Sequence, residues 1–289
     1  MTRRRGSAKT AVVEYLFDAR YDYATRQLGN PLVSLEEVQE AIELFKAQGR
    51  DTGLSTRNPA NFFKDLTRVK AVNANWPSKV AEAGYTGEDA IESGAGACFR
   101  FVPIPPGQTA PFKLIAPSPS LLAGRTRLQS LSLALPARQL GGGGESWIAQ
   151  VVAQLRVVEA HFAAFSPTRA VELVFLQTNR KLSGGEVDAI WRMVDEDGAH
   201  WLVAVEVKGC REEIVEAQVL RSARALLAGL HEAPIAVGVI PLAVKALDEA
   251  GKTTLHTVEW EAARLDEPAK SHRIVAEGIF ELVPPVPNV

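Results

Sequence analysis

Three residues carry reactive side chains that their surroundings do not explain. Glu206 and Lys208 close the run "WLVAVEVK", Trp201 to Lys208, which is otherwise apolar, and Asp188 lies eighteen residues before Glu206 in "GGEVDAIW". Side chains alternate along a strand, so Leu202, Ala204, Glu206 and Lys208 share one face while Trp201, Val203, Val205 and Val207 share the other. On the preceding strand, Glu186 to Asp195, Asp188 falls on the face of Glu186, Ile190 and Arg192. A three-residue loop, Glu196-Asp197-Gly198 with Gly198 in the left-handed conformation, pairs Asp195 with Ala199 and therefore Asp188 with Glu206. Trp191 then meets Val203, so the apolar faces match, whereas a one-residue slip would turn Asp188 toward the face of Val205 and Val207.

Carboxylates directly opposite one another, with Cβ atoms about 4.5 to 5.5 Å apart, destabilise a sheet unless a cation lies between them. Lys208 supplies one positive charge. A Mg²⁺ ion, which takes one or two carboxylates together with waters and substrate phosphate, resolves the conflict better. The competing reading is a solvated edge strand with an ordinary Glu-Asp-Lys cluster, against which stand the Leu, Val and Trp residues around the charges.

A third acid comes from the helix expected over Glu145 to Phe162. At 100° per residue Ile148, Val152, Leu155 and Phe162 share an apolar stripe, and Glu159 falls inside it; Glu145 lies on the same side at the start of the helix. An acid on such a stripe calls for a metal or lysine partner, or else a buried hydrogen bond or the neighbouring Arg156.

The elements that must hold these residues read as an α/β domain: a helix from Glu145, a strand over Ala170 to Gln177, the hairpin, a helix over Glu212 to Leu230, a strand over Ile235 to Pro241 and a last strand near Thr254 to Trp260. The proline-rich stretch from Pro103 to Pro119 reads as an irregular connector, and Gly141 to Gly144 as a second break. The expected organisation is residues 1–110 as a helical domain, 111–144 as a linker and 145–289 as the α/β domain. In the first domain, helices over Lys9 to Tyr23 and Leu35 to Gln48, the latter opened by a Ser34/Glu37 capping box, precede a helix over Ala60 to Val69 and a strand over Ala97 to Ile104. That order fits a helix-turn-helix with a wing, or a small helical packing domain with solvated charges.

Bulk properties narrow the classes. Of 289 residues 46% are hydrophobic and 23% charged, ordinary for one or two globular domains, and no run approaches the roughly 18 to 20 apolar residues of a membrane helix. With no signal-peptide pattern, the expectation is a cytoplasmic protein with no membrane partner. Cys98 and Cys210 form no C-x-x-C, and the five histidines form no metal motif, so neither a disulfide scaffold nor a zinc site is expected. The first 144 residues hold 18 Lys and Arg against 13 Asp and Glu; the remainder hold 14 against 21. A basic first half suits a polyanion, and an acidic second half gathers carboxylates.

The Asp188 segment, the spacing to Glu206-Val207-Lys208 and the order helix, hairpin, strand, helix resemble the PD-(D/E)XK nuclease superfamily, which includes most restriction endonucleases. The resemblance covers Glu145 to about Trp260 and departs from the name motif at Val187, which stands where proline would. It implies a restriction-endonuclease-like mixed central sheet flanked by helices, preceded by the mainly helical winged-helix-like domain. It also implies Asp188 and Glu206 as metal ligands, Lys208 as the residue that positions water and stabilises the pentacovalent phosphate, Glu159 or failing that Glu145 as the acid of the first helix, and Gln218 as an assisting glutamine. The implied function is sequence-specific, Mg²⁺-dependent cleavage of double-stranded DNA, with Mn²⁺ able to substitute and a homodimer placing one site on each strand. More loosely, the first domain resembles the DNA-binding modules of such nucleases, with Arg57, Asn58, Asn61, Lys64 and Arg68 toward the groove or phosphates and Arg3, Arg4 and Arg5 as a basic arm. The alternatives are a structure-specific repair, recombination or mobile-element nuclease and a DNA-binding regulator on an inactive nuclease fold.

Overall fold

The computed structural model of the chain describes residues 8–50, 53–57, 59–67, 71–90, 96–182, 185–232, 235–267 and 273–289. Contacts divide it into two units, Met1–Lys113 and Leu114–Val289.

In the first unit a helix over Ala8–Asp18 buries Val12, Val13, Leu16 and Phe17. A second, Leu35–Ala47, starts at the expected capping box: Ser34 Oγ accepts from the Glu37 amide at 3.1 Å, and Glu37 Oε2 accepts from the Ser34 amide at 2.7 Å. The expected helix over Ala60 to Val69 is instead a 3₁₀ turn, Pro59–Asn61, and a short helix, Phe62–Thr67. Its Phe62, Phe63 and Leu66 are buried as the spacing requires. The join from the second helix runs over Gln48 to Asn58, longer than the short turn of a compact helix-turn-helix. A three-stranded antiparallel sheet sets Ala97–Pro103 between Leu32–Ser34 and Tyr85–Asp89. Phe17, Phe63, Trp76, Phe99 and Phe101 pack at centroid distances of 5.1 to 6.3 Å, making this an aromatic core.

The second unit is mixed α/β. Its main strands are β1 (Thr126–Gln129), β2 (Ala170–Leu182), β3 (Gly185–Asp195), β4 (His200–Lys208), β5 (Gly238–Leu247), β6 (Thr253–Trp260) and β7 (Ile274–Val283), in the spatial order β1-β7-β6-β5-β4-β3-β2. The β4/β5 and β7/β1 pairs are parallel and the others antiparallel. Its main helices are α1 (Glu145–Gln154), α2 (Val157–Ala164) and α3 (Glu216–Glu232). On one face α1 and α2 bury Trp147, Ile148, Val151, Val158 and Phe162 against Trp191, Val203, Val205, Leu242 and Leu255. On the other, α3 packs Ala223, Leu226 and Leu230 against Ile190, Leu202, Ala204 and Val239. Covered on both sides, β4 is buried from Trp201 onward, which is why it reads as a continuous apolar run.

Three expectations are corrected here. The supposed linker 111–144 is structured: Leu114–Ile115 pairs with Ile214–Val215, β1 extends the main sheet beside β7, and Arg125 holds Glu249 through both guanidinium nitrogens. The single helix over Glu145 to Phe162 is two, broken where Arg156 adopts the left-handed conformation at φ 56°. The break re-aims the chain so that Val157 and Val158 join the core that α1 already serves. Finally, β5 runs through Pro241 to Leu247 instead of ending there, and β7 adds a strand beyond the expected last one.

Candidate active site

The hairpin turn fixes the register. Gly198 sits at φ 76°, where a Cβ would be strained, and the Gly198 amide donates to Asp195 O at 3.1 Å while Asp195 Oδ1 accepts from the amides of Asp197 and Ala199. From that turn the β3/β4 ladder pairs Val194 with His200, Trp191 with Val203 and Ala189 with Val205, the register that the loop length requires. One step further on, Asp188 no longer makes a ladder pair. Its Oδ2 accepts from the amide of Val207 at 2.8 Å, which anchors the carboxyl beside Glu206.

Glu206 is held from both sides: Oε1 accepts from Lys208 Nζ at 2.8 Å and Oε2 from Ser222 Oγ, on α3, at 2.9 Å. Lys208 Nζ donates in addition to Glu145 Oε1 at 2.9 Å. Glu145 reaches it as the first residue of α1, which begins after Gly144 at φ 103°. Glu206 and Lys208 are 8% and 7% exposed, so the cluster lies at the buried end of the central strand with Asp188 and Glu145 half-buried beside it.

The electrostatics separate the two facing acids. Burial works to raise the Glu206 carboxyl, but Lys208, Arg221 and Ser222 together outweigh it and hold it below its ordinary value. Burial, and after it the Glu206 charge, push Asp188 up to about 8 against the opposing Lys208 ammonium and Val207 amide. Burial opposes the charge on Lys208, yet the carboxylates of Glu206, Glu145 and Asp188 raise its pKa above the ordinary lysine value. The two facing acids are thus driven apart, Glu206 toward its ionised form and Asp188 toward its protonated form, beside the Lys208 ammonium.

Among the described residues no group of three or more His, Cys, Asp and Glu side chains is arranged to hold a metal ion. The donors present nonetheless suit a hard divalent cation, which needs only one or two carboxylates when waters and phosphate complete its shell. Asp188 Oδ1 accepts no hydrogen bond among the described residues, and its proton is one that a divalent cation would displace.

Of the expected site residues, Asp188, Glu206, Lys208 and Glu145 come together. Glu159 does not: carried by α2 beyond the Arg156 break, it faces Arg156 at 3.9 Å, and burial raises its carboxyl. Gln218 lies half-buried in the first turn of α3, where its carbonyl accepts from Ser222 Oγ at 3.2 Å. Ser222, one helical turn later and on the same face of α3, donates to Glu206. In the first unit Arg57 and Asn61 are exposed and Lys64 is half-buried, while Asn58, Arg68 and Arg3 to Arg5 lie outside the described residues.

The sequence reading also missed a second buried polar network, in which His161 Nδ1 and Nε2 reach Thr257 Oγ1 at 2.8 Å and Glu259 Oε2 at 3.0 Å, and Ser166 Oγ donates to Glu259 Oε1 at 3.0 Å. His161 is fully buried and Glu259 is 1% exposed, so the network ties α2 to β6 and offers no surface to a substrate. Among the described residues no helix is long and apolar enough to cross a membrane. Comparison with protein-family models, curated proteins and solved structures returns no match.

Proposed function

We propose that the chain is a Mg²⁺-dependent endonuclease of the PD-(D/E)XK kind that hydrolyses phosphodiester bonds in double-stranded DNA. The observation that carries this reading is the meeting of Asp188, Glu206 and Lys208 at one end of the central strand. A hairpin feeding a buried strand with a parallel neighbour, helices on both faces, and Glu145 reaching the site from the first helix support the same reading.

Asp188 and Glu206 would hold the metal, with Glu145 close by. Mg²⁺, when bound, lowers the pKa of a coordinated water and neutralises charge on phosphoryl oxygens. Lys208 donates from Nζ to the oxygens on which charge develops as water adds to phosphorus. Glu206 and Glu145 keep that ammonium charged and fix its position, and Ser222 keeps Glu206 from turning away. The basic excess of the first 144 residues supplies general affinity for the polyanion, with Arg57, Asn61 and Lys64 as candidate contacts.

Supercoiled and linear DNA incubated with Mg²⁺ or Mn²⁺ should be cut by the wild type and left intact by Asp188→Ala and by Lys208→Ala. Cleavage that survives both substitutions refutes the proposal. Discrete fragments from linear DNA support sequence-specific, restriction-type cutting by a homodimer, which light scattering with DNA would detect; cutting confined to junctions, flaps or ends supports a structure-specific enzyme instead.

A further inference from the structure

The face and level of the sheet that carry Lys208 continue sideways into two more basic residues. In the parallel β4/β5 ladder Lys208 is the partner of Lys245, and in the β5/β6 ladder Lys245 is the partner of His256. Ladder partners project from the same face on strands about 4.8 Å apart, so the three side chains form a row. Like charges side by side destabilise a sheet, and burial adds to the cost. Yet Lys245 is 7% exposed, as deep as Lys208.

The two lysines are satisfied unequally. Lys208 has two carboxylates, whereas among the described residues Lys245 Nζ has one, Glu213 Oε2 at 2.7 Å. Glu213 belongs to the segment just after β4 and is more open than its partner, with 22% of its side chain exposed against 9% for Lys245. His256 is fully buried with Nε2 on Glu277 at 3.0 Å, and its Nδ1 has no hydrogen-bond partner among the described residues. Burial, reinforced by Lys245 and only partly opposed by Glu277, holds His256 below its ordinary value.

We propose that Lys245 is a second phosphate-binding residue, which takes a backbone phosphate next to the one at Lys208, and that Glu213 occupies its ammonium until nucleic acid replaces that carboxylate. The inference rests on the nuclease reading and extends it from the scissile phosphate to the path of the strand. The scale is suitable: the two residues stand on neighbouring strands about 4.8 Å apart, and long, flexible lysine stems can spread their ammoniums to successive phosphates of one nucleic-acid strand. The two residues are ladder partners and equally buried, so a strand that reaches one ammonium can reach the other once Glu213 swings out.

The test is binding of the full chain to a labelled DNA duplex in EDTA, where no metal-dependent cleavage intervenes, over a series of salt concentrations. Lys245→Gln should reduce the slope of log affinity against log salt by about one, and Lys245→Arg should retain it. Glu213→Gln, which removes the competing anion, should tighten binding several-fold at low salt. The double variant Lys245→Gln with Glu213→Gln leaves no unpaired buried charge, and it should show the reduced slope in a protein whose circular dichroism and melting match the wild type. A wild-type slope in the double variant, or no tightening in Glu213→Gln, overturns the role of Lys245 while leaving the nuclease reading in place. A wild type that fails to bind duplex at low salt overturns both.

Discussion

Replacing Asp188 by Asn separates the folding cost of the site from its chemistry. Asn has nearly the shape of the protonated carboxyl and keeps an oxygen for the Val207 amide, but it cannot ionise. In the wild type the Asp188 carboxyl rises from 3.8 to about 8 on folding, so between those values the folded chain binds more protons than the unfolded one and stability falls as pH rises. At about 1.4 kcal/mol per tenfold change in proton affinity, the loss between about pH 5 and about pH 9 is about 4 kcal/mol. Asp188→Asn lacks this loss, so in EDTA its advantage over the wild type should grow by about that amount across the range, or by about 10 °C in melting temperature for a unit of this size. Thermal and urea denaturation of both proteins at matched ionic strength measure the gap, and differencing them cancels the titrating groups that do not interact with Asp188. Added Mg²⁺ should restore much of the wild type's stability at high pH and do little for the variant, which should also be inactive in cleavage. A gap that stays constant from low to high pH would refute the argument that burial and Glu206 hold Asp188 neutral.

Ser222→Ala removes the donor to Glu206 Oε2 in a site where Ser222 is 1% exposed; it should cost about 1 to 3 kcal/mol in urea denaturation and slow single-turnover cleavage, because Glu206 loses the hydroxyl that fixes its second oxygen. His161→Leu strips Glu259 of its imidazole partner and should destabilise by about 1 to 3 kcal/mol while leaving the cleavage rate per folded molecule unchanged, as denaturation and active-site titration would show. Gly278→Ala places a Cβ 2.2 Å from the Phe165 ring and should lower stability by about 1 to 3 kcal/mol, with Phe165→Leu in the same chain recovering part of the loss in melting temperature.

The site was legible where patterns of period two were long and a turn fixed their phase. The hairpin had one register that buried Trp191 and Val203 together; its ladder runs to Ala189 and Val205, and beyond it Asp188 meets the Val207 amide next to Glu206 instead of pairing with Glu206. The third acid was harder, because "QLRVVEAHF" contains no glycine or proline to mark a helix break; Arg156 turns left-handed so that Val157, Val158 and Phe162 pack as α2, and no local signal forecasts that. Lys245 is hidden by Pro241, an unusual residue for an inner strand and an ordinary strand terminator, although the ladder continues past it. β7 was hidden by Gly278, which weakens the strand pattern of "IVAEGIFELV" and is there because Phe165 presses against the backbone. The structured segment after Lys113 was obscured by its prolines, since its ordering comes from partners distant in sequence such as Glu249 and β7.

The turn at Glu196 to Gly198 stands at the far end of β3 and β4 from the charged cluster, eight residues from Asp188 and so about 26 Å away. It acts as the zero mark of a ruler whose graduations are residue pairs. One residue added to or removed from that turn would present Val187 or Ala189 where Asp188 now meets the Val207 amide, and would dismantle the cluster without altering any residue in it. Substitutions in the turn should therefore be far better tolerated than changes in its length, and an insertion remote from the reacting atoms would be as damaging as the loss of Asp188 itself.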